Sequence, residues 1–177
     1  MSFWGDSKQF WERKTFGNEI YARQKRELLF DIHNFGKMHN IRRVIDVGGY
    51  KGDLAHRLKD FDYRCIDIVN GFDITKDWES QGLKKLPATM CFTSLTLLCF
   101  PPEQVEFILS EMLKYSRQIY LFEEYNTSCY EHKQKISDEY GGKWAYDWAR
   151  FAHHHAADFS ITMSKVNKAW ARVGMVK

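Results

Sequence analysis

Long apolar runs are missing from this sequence. Its longest, Met90–Phe100, covers 11 residues and is broken by Thr93, Ser94 and Thr96, whereas a membrane-spanning helix needs about 20. The opening MSFWGDSKQFWERK carries no apolar leader core, so the chain reads as a cytoplasmic protein that does not engage a membrane. The four cysteines, at 65, 91, 99 and 129, form no C-x-x-C pair and no zinc-like spacing with a histidine, so no metal is expected. Cys91 and Cys99 sit among apolar residues and read as buried, reduced thiols. Charge of one sign is scarce too. The net charge is +3, and no basic run exceeds the pairs Arg42-Arg43 and Lys84-Lys85. Neutralising several phosphates takes concentrated positive charge, so a nucleic-acid partner is not expected. Only aromatics are plentiful, at 16%.

With 177 residues, 44% hydrophobic and 28% charged, the chain suits one globular domain spanning 1–177. The three prolines, Pro87, Pro101 and Pro102, mark edges of elements. Residues 7–36 read as helical with a break at Phe16-Gly17-Asn18. In that N-terminal lid region, 1–36, Trp4, Trp11, Phe16 and Tyr21 supply a buried face or touch a ligand. Arg43 to Gly48 is a β-branched run that stops at glycines, a buried strand. Asp53 to Phe61 reads as a helix packed through Leu54, Ala55 and Leu58. Tyr63 to Ile68 is a second strand, Asp77 to Leu86 a polar-faced helix, and Ala88 to Phe100 begins as a strand. Pro101-Pro102-Glu103 opens a helix whose apolar residues, Val105, Ile108, Leu109, Met112 and Leu113, recur at helical spacing. Gln118 to Glu123 is another strand. Asp158 to Ser164 and Ala169 to Val176 form a closing hairpin around Val166-Asn167-Lys168. Strand and helix in alternation give an α/β fold with a mostly parallel sheet, helices on both faces and an antiparallel C-terminal hairpin.

The informative stretch is Val44-Ile45-Asp46-Val47-Gly48-Gly49-Tyr50-Lys51-Gly52-Asp53-Leu54. A strand that ends in glycines lets backbone approach a ligand in the crevice above the strand ends. A dinucleotide would need G-x-G-x-x-G, but Tyr50 and Asp53 occupy the second and third glycine positions. An acid at Asp53 would also repel a pyrophosphate. A phosphate-free zwitterion, S-adenosylmethionine (SAM), fits better. Asp46 suits a ligand carrying an ammonium and a sulfonium. Asp67, at the end of the second strand, can accept from two ribose hydroxyls, and Asp73 comes at the next strand-like end, within reach of an adenine amino group. The alternatives are a plain strand–helix turn at Asp46, Gly48 and Gly52, a surface carboxylate at Asp67, and a turn or cap at Asp73.

On these residues the sequence resembles the class I SAM-dependent methyltransferases. Asp46, Gly48 and Gly52 look like that family's first motif, and Cys65-Ile66-Asp67-Ile68 looks like its ribose-binding strand end. Met90-Cys91-Phe92-Thr93-Ser94-Leu95 looks like its fourth strand, where an acceptor approaches the methyl group. The resemblance covers about residues 40–177 and implies a Rossmann-like sheet of order 3-2-1-4-5-7-6. Two departures stand out: Tyr50 replaces the middle motif glycine, and five residues between Asp67 and Asp73 leave no room for the usual helix. A more local likeness is to small methylases associated with bacterial surface-sugar biosynthesis, including a pseudaminic-acid group. It rests on Phe10-Trp11, Phe16-Gly17-Asn18-Glu19 with Tyr21, Glu124-Tyr125-Asn126 and Asp147-Trp148-Ala149.

The site implied has Asp46, Gly48, Gly49, Gly52, Asp67, Ile68, Asp73 and Thr93 on the cofactor, and Tyr21 and Tyr125 on the substrate. Glu124 and His153 are the candidate bases. His153-His154-His155 cannot converge on one metal, because neighbours on a helix point about 100° apart. Of Glu123 and Glu124, alternation sends one to the cleft and one away, and either can instead cap the next element. Arg23 could meet the cofactor carboxylate, although a lone helix arginine is usually solvated. The expected function is methyl transfer from SAM to a small polar metabolite, a sugar or other polar compound. The alternatives are a SAM-binding partner without transfer activity and an RNA or protein methyltransferase. Sequence gives no oligomeric state.

Overall fold

The structure, a computed structural model, describes residues 19–125, 133–137 and 143–177, the side chains of 21, 133–137 and 143 excepted. Helix α1 (Glu19–Met38) comes first, then β1 (Arg43–Val47), β2 (Asp62–Ile66), β3 (Thr89–Ser94), α2 (Pro102–Tyr115) and β4 (Gln118–Glu124). A small antiparallel pair follows, β5 (Lys133–Ser137) and β6 (Lys143–Tyr146), which the sequence pattern did not suggest. Helix α3 (Trp148–His155) and the hairpin β7 (Asp158–Met163) and β8 (Trp170–Val176) close the chain.

Among the described residues the main sheet has six strands in the order β2-β1-β3-β4-β8-β7; β8 runs antiparallel to its neighbours β4 and β7, and the other five strands share one direction. This is the expected order without its outermost strand. After Asp67 the chain makes a 3-10 turn, Ile68–Asn70, and then irregular turns. Alternation along each strand builds two cores. Val44, Met90, Phe92, Tyr120 and Phe122 pack under Leu28, Leu29 and Ile32 of α1. Ile45, Val47, Cys91, Ile119 and Leu121 pack under Val105, Ile108, Leu109 and Met112 of α2, with Trp148 and Ala152 of α3. Because β1, β2, β3 and β4 are parallel and in register, with Val47 opposite Ile66 and Ser94 opposite Phe122, their C-terminal ends share one rim. That rim positions the site.

Helix α1 is a fixed layer. Glu27 accepts from Arg172 Nη1 at 2.9 Å and from the Lys165 amide at 2.9 Å, and Asp31 lies 3.2 Å from the same guanidinium. Two expected helices are absent. Asp53–Phe61 forms only a 3-10 turn at Ala55–Arg57, and Asp77–Leu86 folds as hydrogen-bonded turns. Leu54, Leu58, Trp78 and Leu83 are still buried, so the apolar spacing found its core without a helix. Among the described residues no helix is long and apolar enough to cross a membrane.

Candidate functional site

A cleft opens at the C-terminal ends of β1, β2 and β3, beneath α1. Its lining includes Asp46, Gly48, Gly49, Asp67, Ile68 and Asp73. The glycine turn after β1 makes it. Gly48 has φ +74°, and a Cβ there would fall 2.2 Å from Thr96 Cγ2. At Gly49 a Cβ would stand 2.3 Å from Asp46 Cγ, so the Asp46 carboxylate rests directly against glycine backbone. Neither position admits a side chain without local displacement.

Asp46 is 2% exposed and accepts from the Tyr63 hydroxyl at 2.6 Å. Burial raises its pKa to about 7; the nearby Asp67 charge adds to the rise and the Tyr63 bond opposes it. Near neutrality, therefore, a substantial fraction of the protein carries Asp46 protonated unless a cation faces it. Asp67 accepts from the Tyr50 amide through Oδ2 and from the Val69 amide through Oδ1, both at 2.9 Å. Each oxygen has a second lone pair, so the carboxylate can still accept from two ligand hydroxyls. Asp73 accepts from the Thr75 amide at 3.0 Å and lies 3.1 Å from Lys76 Nζ. Its partial burial is outweighed by the Thr75 bonds and the lysine, and its pKa is lowered. It is both the turn-forming acid of the plain reading and part of the cleft wall.

Tyr50, in place of the middle motif glycine, takes φ +56°. The left-handed conformation is thus kept with a tyrosine, at about 1–2 kcal/mol of backbone cost. Both of its backbone groups are used: its amide on Asp67 and its carbonyl on Asn70 Nδ2 at 3.0 Å. Tyr50→Gly is therefore expected to change stability by less than about 1 kcal/mol, while the β-branched Tyr50→Val costs about 1–2 kcal/mol. Urea unfolding of the two variants checks this.

From α1, Gln24, Lys25 and Leu28 join the lining. Gln24 is buried and donates to Ser94 Oγ. Lys25 Nζ lies 3.8 Å from Asp53 Oδ2. The expectation named Arg23 instead, but that residue is exposed and pairs with Glu19 at 3.0 Å. Ser94, Leu95, Thr96, Cys99 and Phe100 complete the side beyond β3. No residue-type signal marked Gln24 or Lys25, since the face of α1 that covers the cleft is set by packing.

Other expected residues fall elsewhere. Gly52, φ +76°, is outside the lining and sits against Cys65 and Tyr63. Thr93 is fully buried, and its neighbours Ser94 and Leu95 reach the cleft instead. Glu123 points inward, fully buried, and accepts from the Thr96 and Leu97 amides at 2.9 and 3.2 Å. Its burial pushes its pKa up to about 7. It is a cap for the 3-10 turn Leu97–Cys99, not a cleft group. Glu124 and Tyr125 are half-buried at the same rim, outside the cleft lining; the Glu124 carbonyl accepts from Trp148 Nε1 at 2.7 Å. His153 is exposed on α3. Tyr21 lies on α1, its side chain outside the described residues; Trp4, Trp11, Phe16 and Asn126 lie outside the described residues altogether. Among the described residues no three His, Cys, Asp or Glu side chains gather as a metal site.

No family model and no curated protein matches the sequence. Solved structures do match the fold. Magnesium protoporphyrin IX methyltransferase (ChlM) from Synechocystis PCC 6803, with SAM bound, is 11% identical at a TM-score of 0.59, over 100% of this chain and 98% of that one. The glycopeptide N-methyltransferase MtfA, complexed with S-adenosylhomocysteine (SAH), is 8% identical at 0.58, over 84% of this chain and 86% of that one. The SAM-dependent methyltransferase SibL is 13% identical at 0.54, and this chain spans only 52% of its length. Identities this low establish the architecture: the chain has the Rossmann-like fold of SAM-dependent methyltransferases, with one edge strand fewer among the described residues.

Proposed function

We propose that the protein is a SAM-dependent methyltransferase acting on a small polar metabolite, a sugar or other polar compound. The observation that carries the reading is the buried Asp46 carboxylate pressed against Gly49 in a cleft that Asp67 and Asp73 also line. This donor set fits the cofactor. Asp46 would face the ammonium, Asp67 the ribose hydroxyls, and Asp73 with Ile68 the adenine. Lys25 is the cation available for the carboxylate. The acids also disfavour a phosphate-bearing ligand in the same place.

Bound SAM would supply an electrophilic methyl on a sulfonium. The chain's own part is to align it with an acceptor, and proximity of this kind accounts for much of the rate in such displacements. Ser94, Thr96 and Gln24 give the cleft a neutral polar wall beyond β3, suited to a hydroxyl-bearing acceptor. Glu124 and Tyr125, half-buried at the end of β4, are the candidates for base and for acceptor wall; His153, exposed on α3, has no such placement in its favour. A SAM-binding partner without transfer activity is the second reading. It draws on the observation that neither Glu124 nor His153 lines the cleft. The surface-sugar association rests on the sequence likeness alone, as does the choice of a sugar.

Calorimetric titration with SAM and SAH tests the cofactor. Micromolar binding is expected, weakened about tenfold or more in Asp67→Ala. Failure of folded protein to bind either ligand overturns the reading. Methyl transfer to metabolite, RNA and protein pools then separates an enzyme from a silent binder.

A further inference from the structure

We propose that Tyr63 is a positioning residue of the cleft, whose hydroxyl holds the Asp46 carboxylate in place and ionised to receive the cationic end of the ligand. The inference rests on the SAM reading and deepens it.

Its basis is geometric. Tyr63 stands on β2 opposite Val44, which places its side chain diagonal to Asp46 on the same face of the sheet. The 2.6 Å O–H···O contact is in the range of a charge-assisted bond to an ionised acceptor. The third motif glycine lies beside this arrangement. A Cβ on Gly52 would lie 3.3 Å from Cys65 Cβ and 3.6 Å from both Cε1 and the hydroxyl of Tyr63. Gly52, outside the cleft lining, thus borders the tyrosine ring at ordinary contact distance, and its positive φ of +76° is what favours glycine there.

The titratable groups facing Asp46 come from each element packed around it. Tyr63 and Cys65 belong to β2, Asp67 follows it, Asp53 follows the glycine turn, and Lys25 descends from α1. Asp67 and Asp53 push Asp46 towards its protonated form; Lys25 and the Tyr63 bond push it towards the carboxylate. Tyr63 itself is held neutral, because burial and the Asp46 charge raise its pKa. It therefore acts as a permanent donor. Removing the hydroxyl leaves Asp46 with its burial and its acidic neighbours, so more of the protein carries it protonated at any pH near 7, and a cation then meets a neutral group.

The test is Tyr63→Phe, which keeps the ring. Carbon-13 NMR follows the Asp46 carboxyl through pH 5–9 in the free protein, and SAM affinity is measured by calorimetry across the same range. The variant is expected to show a higher Asp46 midpoint, about tenfold weaker SAM binding at pH 7, and an affinity profile displaced to higher pH by the same amount. In an Asp46→Asn background, Tyr63→Phe should leave SAM affinity within twofold. A ring that only packs would leave stability, midpoint and profile where they were, and that result overturns the proposal. If wild-type protein binds SAM and Tyr63→Phe matches it at every pH, the positioning role alone falls. If wild-type protein binds neither SAM nor SAH, the cofactor reading falls and takes the proposal with it.

Discussion

Asp46→Asn is expected to make the free protein more stable at pH 8 and to abolish most of its SAM binding. The stability half follows from linkage. The Asp46 pKa lies near 7 in the folded protein against 3.8 unfolded, so between those values the folded state binds more protons. Stability attributable to this group is therefore present in full below about pH 4 and lost as pH rises through 7. A displacement of this size corresponds to an order of 4 kcal/mol at pH 8. Asparagine keeps an oxygen to accept from Tyr63 and removes the buried charge, so a gain of about 2–4 kcal/mol, or roughly 5–10 °C in Tm, is expected at pH 8 and almost none at pH 4. Glu123 titrates in the same window but is common to both proteins and cancels in the difference. The binding half has the opposite sign. A cationic ligand loses its counter-charge in a desolvated place, which costs about 2–4 kcal/mol, roughly thirtyfold to a thousandfold in Kd. Calorimetry and thermal unfolding at pH 4, 6 and 8 read both effects. An asparagine variant no more stable at pH 8, or one that binds SAM normally, would show that Asp46 does not hold an uncompensated charge for a ligand.

The same contrast explains how much was legible beforehand. β1, β3 and β4 are buried on both faces, so RVIDV, TMCFTS and QIYLFEE stand out as apolar runs and their ends locate Asp46 and the rim. Helix α2 announced itself through Pro102 and Glu103 and an unbroken 3.6 spacing. The two missing helices had the spacing without the length. Gly52 takes a left-handed conformation, so only Asp53–Leu58 remain before the chain must turn back to β2. Six residues make too short a helix to stand. Beyond Asp77, whose carboxylate accepts from the Ser80 amide at 2.7 Å as a helix cap would, Gly82 turns left-handed after one turn. Tyr63 was invisible for a different reason. Its meaning comes from the pairing of β1 with β2, and no single strand's pattern contains a diagonal neighbour. Gln24 and Lys25 depend in the same way on how α1 settles over the sheet.

The irregular segment beyond β2 hangs on one side chain, and Trp78→Ala is expected to cost about 3–5 kcal/mol. Trp78 is fully buried. Its indole N–H donates to the Ile74 carbonyl at 3.1 Å, and its ring packs against Tyr115 of α2 with centroids 5.6 Å apart and edge-on to Phe72 at 6.1 Å. Its backbone amide donates to Glu111 Oε2 at 3.0 Å. With no helix or strand between Gly71 and Ala88, these bonds and the burial of Phe72, Ile74 and Leu83 stand in for a hydrogen-bonded ladder. Truncation leaves a cavity next to the Ile74 carbonyl that has lost its donor, so the loss exceeds simple transfer. It also reaches the cleft, since Asp73 and Ile74 line it. Urea unfolding should show the full loss, hydrogen exchange should show reduced protection over 72–83, and SAM affinity should fall several-fold. Leu86→Ala, at a half-exposed neighbour in the same segment, should stay within about 0.5 kcal/mol. If Trp78→Ala costs less than about 1 kcal/mol, the segment is held by something other than this ring. If the stability falls and SAM affinity does not, Asp73 and Ile74 form a wall that the ligand does not use.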